Sequence, residues 1–491
     1  MAEAPSPYSG FDSQFIGGEW RPGSTGRTRP NFNPYTLETI TDNTLASGAD
    51  LDAAFEAAAA AQKQWARTGP SERMELFHRV LAIVDARKDE IIGWLVRESG
   101  STLLKAGIEW AAVRGGLMDA IALPSRIEGR IMPIDRPGKQ SFVYREPIGV
   151  VGVISPWNFP MHLSHRSIAP ALAAGNAVVV KPAEDTPVTG GLLLAKIYEE
   201  AGLPAGLLNI VIGDVADVGD AFTLHPVPKL ISFTGSTRVG KHIGELAMSG
   251  KALKHVGLEL GGNAPFVVLD DADLELAVRA AIVARFLHNG QICMSTNRII
   301  VDAKLHDDFV ERFVARAREL KVGDPSDAAT VIGPLVNAKQ KQAALRSLET
   351  AREEGFEQLL GGEADGLLVP PHVFANVRND SRFAQAEQFA PIAPIIKAAN
   401  EAEALAFANQ TEFGLSSAVF TRDAARGVRF ARQIHAGMTH VNDISVLDAP
   451  FNMFGGEKNS GIGRFNSDWI LSELTTDHWI TVQETPVDYP F

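Results

Sequence analysis

From Gly149 onward the sequence falls into short runs rich in valine and isoleucine, separated by stretches long enough for a helix, and no other feature narrows the possible folds as much. The runs are Val150 to Ile154, Ala177 to Lys181, Leu208 to Ile212 and Leu230 to Phe233. Strands that are apolar at successive positions are buried on both faces, the condition of parallel strands in βαβ units. The expectation is a doubly wound, dinucleotide-binding sheet. A second alternating region begins near Glu259, with apolar runs at Phe266 to Leu269, Ile299 to Val301, Ala418 to Phe420 and Thr439 to Val441, and an amphipathic helix from His306 to about Leu320. It predicts a second α/β unit. Upstream, Asp50 to Arg67 and the segment opened by Pro70 and Ser71 read as helices that cover a sheet.

Two segments fit neither unit. Arg130 to Arg145, two extended runs around Arg136-Pro137-Gly138, reads as a hairpin, and Asp477 to Gln483 as a lone strand. An isolated hairpin is marginal in water, so it is expected to pair with a strand of another subunit, in a homodimer or homotetramer. The fold class is therefore α/β: a doubly wound cofactor domain over 1–128 and 148–258, an α/β catalytic domain over 259–455, and a small β oligomerisation element over 129–147 and 470–491.

The chain has 491 residues, 45% of them apolar and 21% charged, which excludes collagen-like and disordered classes. Its net charge of -13 argues against an electrostatic grip on nucleic acid or anionic membrane and favours small-molecule chemistry. Met1 to Gly10 has no basic or apolar signal region, and no run of about 18 apolar residues follows, so a cytoplasmic protein is expected. A single cysteine, Cys293, rules out an intramolecular disulfide and a cysteine metal cluster. No metal is called for.

Cys293 lies in Gly290-Gln291-Ile292-Cys293-Met294-Ser295, a polar, glycine-bearing turn between a helix and a strand. A nucleophile needs room for an incoming carbonyl and donors that favour thiolate over the ordinary value of about 8.5. Glu259, between Leu258 and Leu260 and directly before Gly261 and Gly262, has the setting of a desolvated general base. Pro156-Trp157-Asn158-Phe159-Pro160 follows a strand, where open α/β sheets bind ligands, and Asn158 offers an amide donor for an oxyanion. Phe233-Thr234-Gly235-Ser236-Thr237-Arg238-Val239-Gly240 runs from strand to helix, so its amides can meet a pyrophosphate. Val180-Lys181-Pro182-Ala183-Glu184 supplies a cation and a carboxylate for ribose hydroxyls. Taken singly, each motif has a plainer reading: a buried structural thiol, a solvent-facing glutamate, an ordinary turn, isolated surface charges.

In this combination and order the set resembles the aldehyde dehydrogenase superfamily, over about Phe15 to Val482. The resemblance implies that Cys293 is the nucleophile, that Asn158 and the Cys293 N–H form the oxyanion hole, and that Glu259 is the base for deacylation. It assigns Lys181 and Glu184 to the adenosine ribose, Gly235 and Ser236 to the cofactor phosphates, and Glu387 and Phe389 to the nicotinamide side. Ile154, Ser155, Pro156, Trp157, Ala183, Gly213, Phe233, Val239, Leu260 and Gly261 complete the implied cofactor cleft. The cofactor expected is NAD, with NADP possible, because a carboxylate at Glu184 would repel a 2′-phosphate.

Within the superfamily the chain is most similar to the benzaldehyde and vanillin dehydrogenase group, on Gly290 to Ser295, Phe454 to Asn466 and Thr475 to Thr481. Phe159, Met161, Phe286 and Phe451 are then expected at the substrate mouth, suited to a flat ring. A medium-chain aliphatic aldehyde would fit an apolar tunnel equally well. Two residues depart from the common pattern, Ala390 for a glycine and Ser295 for alanine or glycine, and both could reshape the nicotinamide seat or the mouth. A CoA-acylating enzyme is disfavoured by Glu259, which such relatives lack. A non-catalytic structural homologue is disfavoured by the retention of Cys293, Glu259 and Asn158 together, and a solute-binding protein is the remotest alternative.

Overall fold

The computed structural model describes residues 6–491; the first five residues of the amino-terminal segment read above lie outside that range. Five strands run parallel in one sheet: Val150–Ile154, Ala177–Lys181, Leu208–Ile210, Leu230–Thr234 and His255–Glu259. Their order across the sheet is third, second, first, fourth, fifth, counted along the chain. The order reverses between Val150–Ile154 and Leu230–Thr234, and a crevice opens beyond the carboxyl ends of strands at such a point. The valine-rich runs form these strands because both faces are covered: every residue of Ala177–Lys181 is buried. The antiparallel pair Gln14–Ile16 and Glu19–Arg21 closes one edge and Gly461–Ile462 the other.

Helix Gly48–Trp65 packs on Ala177–Lys181 through Leu51, Ala54, Phe55 and Ala58. It begins at Ser47, earlier than the apolar spacing suggested, because Ser47 and Asp50 form a reciprocal cap worth about 1 kcal/mol. Pro70 opens the next helix, Pro70–Ala86.

The second sheet has the order Glu357–Leu360, His372–Ala375, Ile392–Ala398, Thr296–Asp302, Ala264–Val268, Ala418–Phe420, His440–Val441, and only its first pair is antiparallel. The helix read from His306 spans His306–Arg318.

The terminal strand is not alone. Thr475–Gln483 pairs antiparallel with Lys139–Pro147 of the same chain, from Thr475 opposite Pro147 to Gln483 opposite Lys139. Helix Ser467–Leu474 delivers it there, and its end is anchored where Ile148 N–H and the Asn176 amide both donate to Leu474 O at 3.0 Å. The hairpin partner Arg130–Ile131 pairs on the other side of Lys139–Pro147. Among the described residues the outer edge of Thr475–Gln483 carries no further strand, and Trp479, Ile480 and Val482 are exposed. No described helix is long and apolar enough to cross a membrane.

Candidate active site

The loop after Val150–Ile154 carries Trp157, Asn158 and Phe159 into helix Pro160–Ala173. Glu109 fixes that helix start by accepting from Met161 N–H at 2.9 Å and His162 N–H at 3.1 Å, a negative charge where the helix dipole favours one. Glu109 is itself paired with Lys105, and both are fully buried. Opposite, the chain leaves helix Leu274–Phe286 through His288, Asn289 and Gly290, all at positive φ, and reaches Cys293. Asn158 Nδ2 donates to Gln291 O at 2.9 Å, so a loop of the first sheet is joined to the nucleophile loop of the second.

Close packing fixes the backbone around the thiol. A Cβ on Gly262 would stand 2.1 Å from the Cys293 carbonyl oxygen, so only glycine lets the two backbones meet. A Cβ on Gly235 would stand 2.5 Å from the Phe233 ring, so the turn that faces the crevice is bare backbone. The buried Arg285 donates to the carbonyls of Gly290, Gln388 and Ala390 at 3.0, 2.8 and 3.1 Å, tying the Cys293 loop to the segment of Glu387 and Phe389.

One cleft at the strand-order reversal is lined by Pro156, Trp157, Asn158, Gly235, Ser236, Leu260, Gly261, Cys293, Glu387 and Phe389, ten of the positions singled out by sequence, together with Thr234 and Gln340. Trp157 and Phe389 meet edge to face across it, ring centroids 5.6 Å apart. Lys181 ends its strand buried, and Glu184 lines a neighbouring groove with Arg29 and Asn337. Arg29 bridges Glu184 to Asp214, a contact the sequence did not reveal. Ile154 and Ser155 continue the first strand, where Ser155 Oγ accepts from Ser164 Oγ at 2.6 Å. Val239 lies on the helix behind the Gly235 turn, packed against the core.

Glu259 is 1% exposed and neither carboxylate oxygen has a partner. Burial pushes it up to about 8, and the charges of Arg166 and Arg464 oppose the rise. The solvent-facing alternative is thereby excluded. Glu387 is pushed up to about 7 by burial, although its carboxylate accepts from Gly262 N–H at 2.8 Å.

The thiol departs from expectation. Burial first, then the charges of Glu259 and Glu387, push Cys293 up to about 12, against the opposing Arg166 charge and Met294 N–H. Desolvation thus opposes ionisation of Cys293, although its side chain lines the cleft and is only partly buried. Two of the four residues expected at the substrate mouth are also elsewhere. Phe286 is fully buried in the core of the second sheet, its ring 5.9 Å from that of Phe313, and Met161 is fully buried in the first core. The helices that carry them turn these side chains inward. Phe159 stands edge to face with His288 at 5.7 Å, and Phe451 is half exposed beside Pro450. Ser295 does not face the mouth either, since its hydroxyl donates to Ala284 O at 2.9 Å, and Ala390 is buried.

Sequence reasoning passed over His162, Arg166 and Asp448, which line a small cavity together. The signal was present: His162 and Arg166 stand four residues apart in helix Pro160–Ala173, a spacing that returns polar groups to one face. Among the described residues no group of three or more His, Cys, Asp or Glu could hold a metal ion.

Known proteins resemble this chain along nearly its whole length. The model of the aldehyde dehydrogenase family matches residues 20–480. A vanillin dehydrogenase of Corynebacterium glutamicum is 50% identical over 97% of this chain and 99% of its own length. The benzaldehyde dehydrogenase YfmT of Bacillus subtilis is 47% identical over 99% of each. The crystal structure of an NAD-dependent benzaldehyde dehydrogenase from Corynebacterium glutamicum superposes with a TM-score of 0.91 at 47% identity, covering 98% of this chain and 99% of that one. A salicylaldehyde dehydrogenase from Pseudomonas putida G7, complexed with salicylaldehyde, gives 0.94 at 36% identity over 98% and 99%. With the family model spanning nearly the whole chain and relatives this similar along their full length, the chain belongs to the aldehyde dehydrogenase family.

Proposed function

We propose that the protein oxidises an aromatic aldehyde of the benzaldehyde or vanillin type to its carboxylic acid, with NAD as the oxidant and water as the oxygen donor. The observation that carries the reading is the gathering of Cys293 and Asn158, with the Gly235-Ser236 turn, in one cleft at the strand-order reversal, next to a buried, unpartnered Glu259. The names of the full-length relatives support the aromatic substrate class.

The residues fit the cofactor: Gly235 would offer bare backbone to the phosphates, Lys181 and Glu184 would hold the ribose, and Glu387 and Phe389, which line the cleft, would flank the nicotinamide. When bound, NAD accepts the hydride lost by the aldehyde carbon. The Cys293 thiol loses its proton to water as its sulfur bonds to the aldehyde carbon. Asn158 Nδ2 and the Cys293 N–H hold the resulting oxyanion, each such donor contributing about 2.7 to 4 kcal/mol. Loss of hydride leaves a thioester on Cys293. Glu259 then takes a proton from water, whose oxygen bonds to the acyl carbon as the C–S bond breaks, and the acid leaves with the thiol restored.

The boundaries given above divide the chain into cofactor, catalytic and oligomerisation parts, and the open edge at Thr475–Gln483 is suited to a strand of a second subunit in a homodimer or homotetramer.

Benzaldehyde and vanillin should exceed hexanal and betaine aldehyde in kcat/KM by about tenfold or more, within the range that apolar contacts supply. A tenfold advantage for hexanal or betaine aldehyde would refute the aromatic assignment. The same substrates run with NADP should give a lower kcat/KM than with NAD, because the Glu184 and Asp214 carboxylates outnumber the Arg29 guanidinium that both pair with and so oppose the 2′-phosphate. Higher efficiency with NADP would refute that preference.

A further inference from the structure

Three buried or half-buried side chains beside the cleft have no role in the steps above: His162, Arg166 and Asp448. Asp448 accepts from His162 Nε2 at 3.0 Å, from Arg166 Nη1 at 3.4 Å and from Asn466 Nδ2 at 2.8 Å. Against the cost of burial, these contacts hold Asp448 down at about 2. The Arg166 guanidinium is sandwiched between the Phe454 ring at 4.2 Å and the Phe465 ring at 4.7 Å, and its Nε has no partner. Arg166 is thus a nearly buried guanidinium whose one ion pair among the described residues is to Asp448.

Both charges act on Glu259, Arg166 favouring its ionised form and Asp448 opposing it. The remaining charged neighbour of Glu259 is Arg464, which is itself paired with Glu457, and the Glu259 charge also acts on Cys293. Glu387 acts on Cys293 from the second sheet, and His162 faces Asp448. A carboxylate closed into an arginine ion pair is a weak base, since an opposite charge at about 4–6 Å lowers its proton affinity by about 1–3 units. We infer that Asp448 is a positioning residue for the base: by anchoring Arg166 against the two phenylalanine rings, it keeps the guanidinium from closing onto Glu259, which stays unpaired and available.

The inference rests on Glu259 as the base, and two readouts separate it from that reading. The first is the pH dependence of deacylation, followed in single turnover on enzyme acylated with benzaldehyde. The second is the pH dependence of Cys293 alkylation by iodoacetamide in free enzyme, which needs neither substrate nor cofactor. In Asp448→Asn both midpoints should fall by about one unit, since the released Arg166 stabilises the carboxylate and the thiolate. In Arg166→Met both should rise, because the cation is gone. In the double variant the fall caused by Asp448→Asn should largely disappear. Should Asp448→Asn not fold, Asp448→Ser takes its place, with the same expectation. The inference is overturned if the Asp448 variant leaves both midpoints unmoved, or lowers them equally with and without Arg166. If alkylation moves as stated while deacylation does not, the Arg166 anchor stands and Glu259 loses the base role.

Discussion

Cys293→Ser should lose aldehyde oxidation by a factor of about 10⁴ or more while still binding NADH, measured by quenching of protein fluorescence. The hydroxyl replaces the thiol in the same close-packed turn, so the backbone set by Gly262 and Arg285 is retained. What is lost is nucleophilicity: a serine hydroxyl holds its proton far more tightly than a thiol. Turnover near that of the wild type would sink the mechanism, because no other thiol exists in the chain to substitute.

Glu259→Gln should separate the two halves of the reaction. Acylation would leave a thioester on Cys293 that water attacks about 10²- to 10⁴-fold more slowly, the usual contribution of a general base. The acyl-enzyme should be trapped and seen by intact mass. In the wild type the sign of the pH dependence follows from the raised value: Glu259 works only when ionised, so deacylation should rise with pH through about 8 and fall below it. A normal steady-state rate without trapped thioester, or a rate that falls on going from pH 7 to 8, would remove Glu259 from this role.

The first sheet was legible because its strands are short unbroken apolar runs, and a strand covered on both faces has few other ways to be written. The second sheet was legible only in part. Ile392–Ala398 carries Pro394 in its centre, which argues against a strand on sequence grounds although neighbours pair with it on both sides. Thr475–Gln483 was readable as a strand, but its partner was not, because the register is set by helix Ser467–Leu474 and the Leu474 carbonyl. In the site, Cys293, Glu259 and Asn158 stood out because each lies beside glycine or proline at the end of an element. Arg166 and Asp448 did not, since a charge within a helix or a loop looks the same whether it faces water or a base. The desolvation at Cys293 was not legible for a related reason: its donors are visible in the local sequence, but the chain that surrounds it comes from far away. Phe286 and Met161 show the same limit, as the direction of a helical side chain is decided by what packs on it.

The hydrogen bond from Asn158 to the Gln291 carbonyl bears on how the enzyme can move. An asparagine amide has two N–H groups, and spending one on Gln291 leaves the other aimed, with its angle set by the loop that carries the sulfur. Donor and nucleophile therefore travel as a pair. Spreading the two sheets would break this staple and open the Gly262 contact with the Cys293 carbonyl, so the spacing of donor and sulfur holds only while the sheets stay together, like the two sides of a seam.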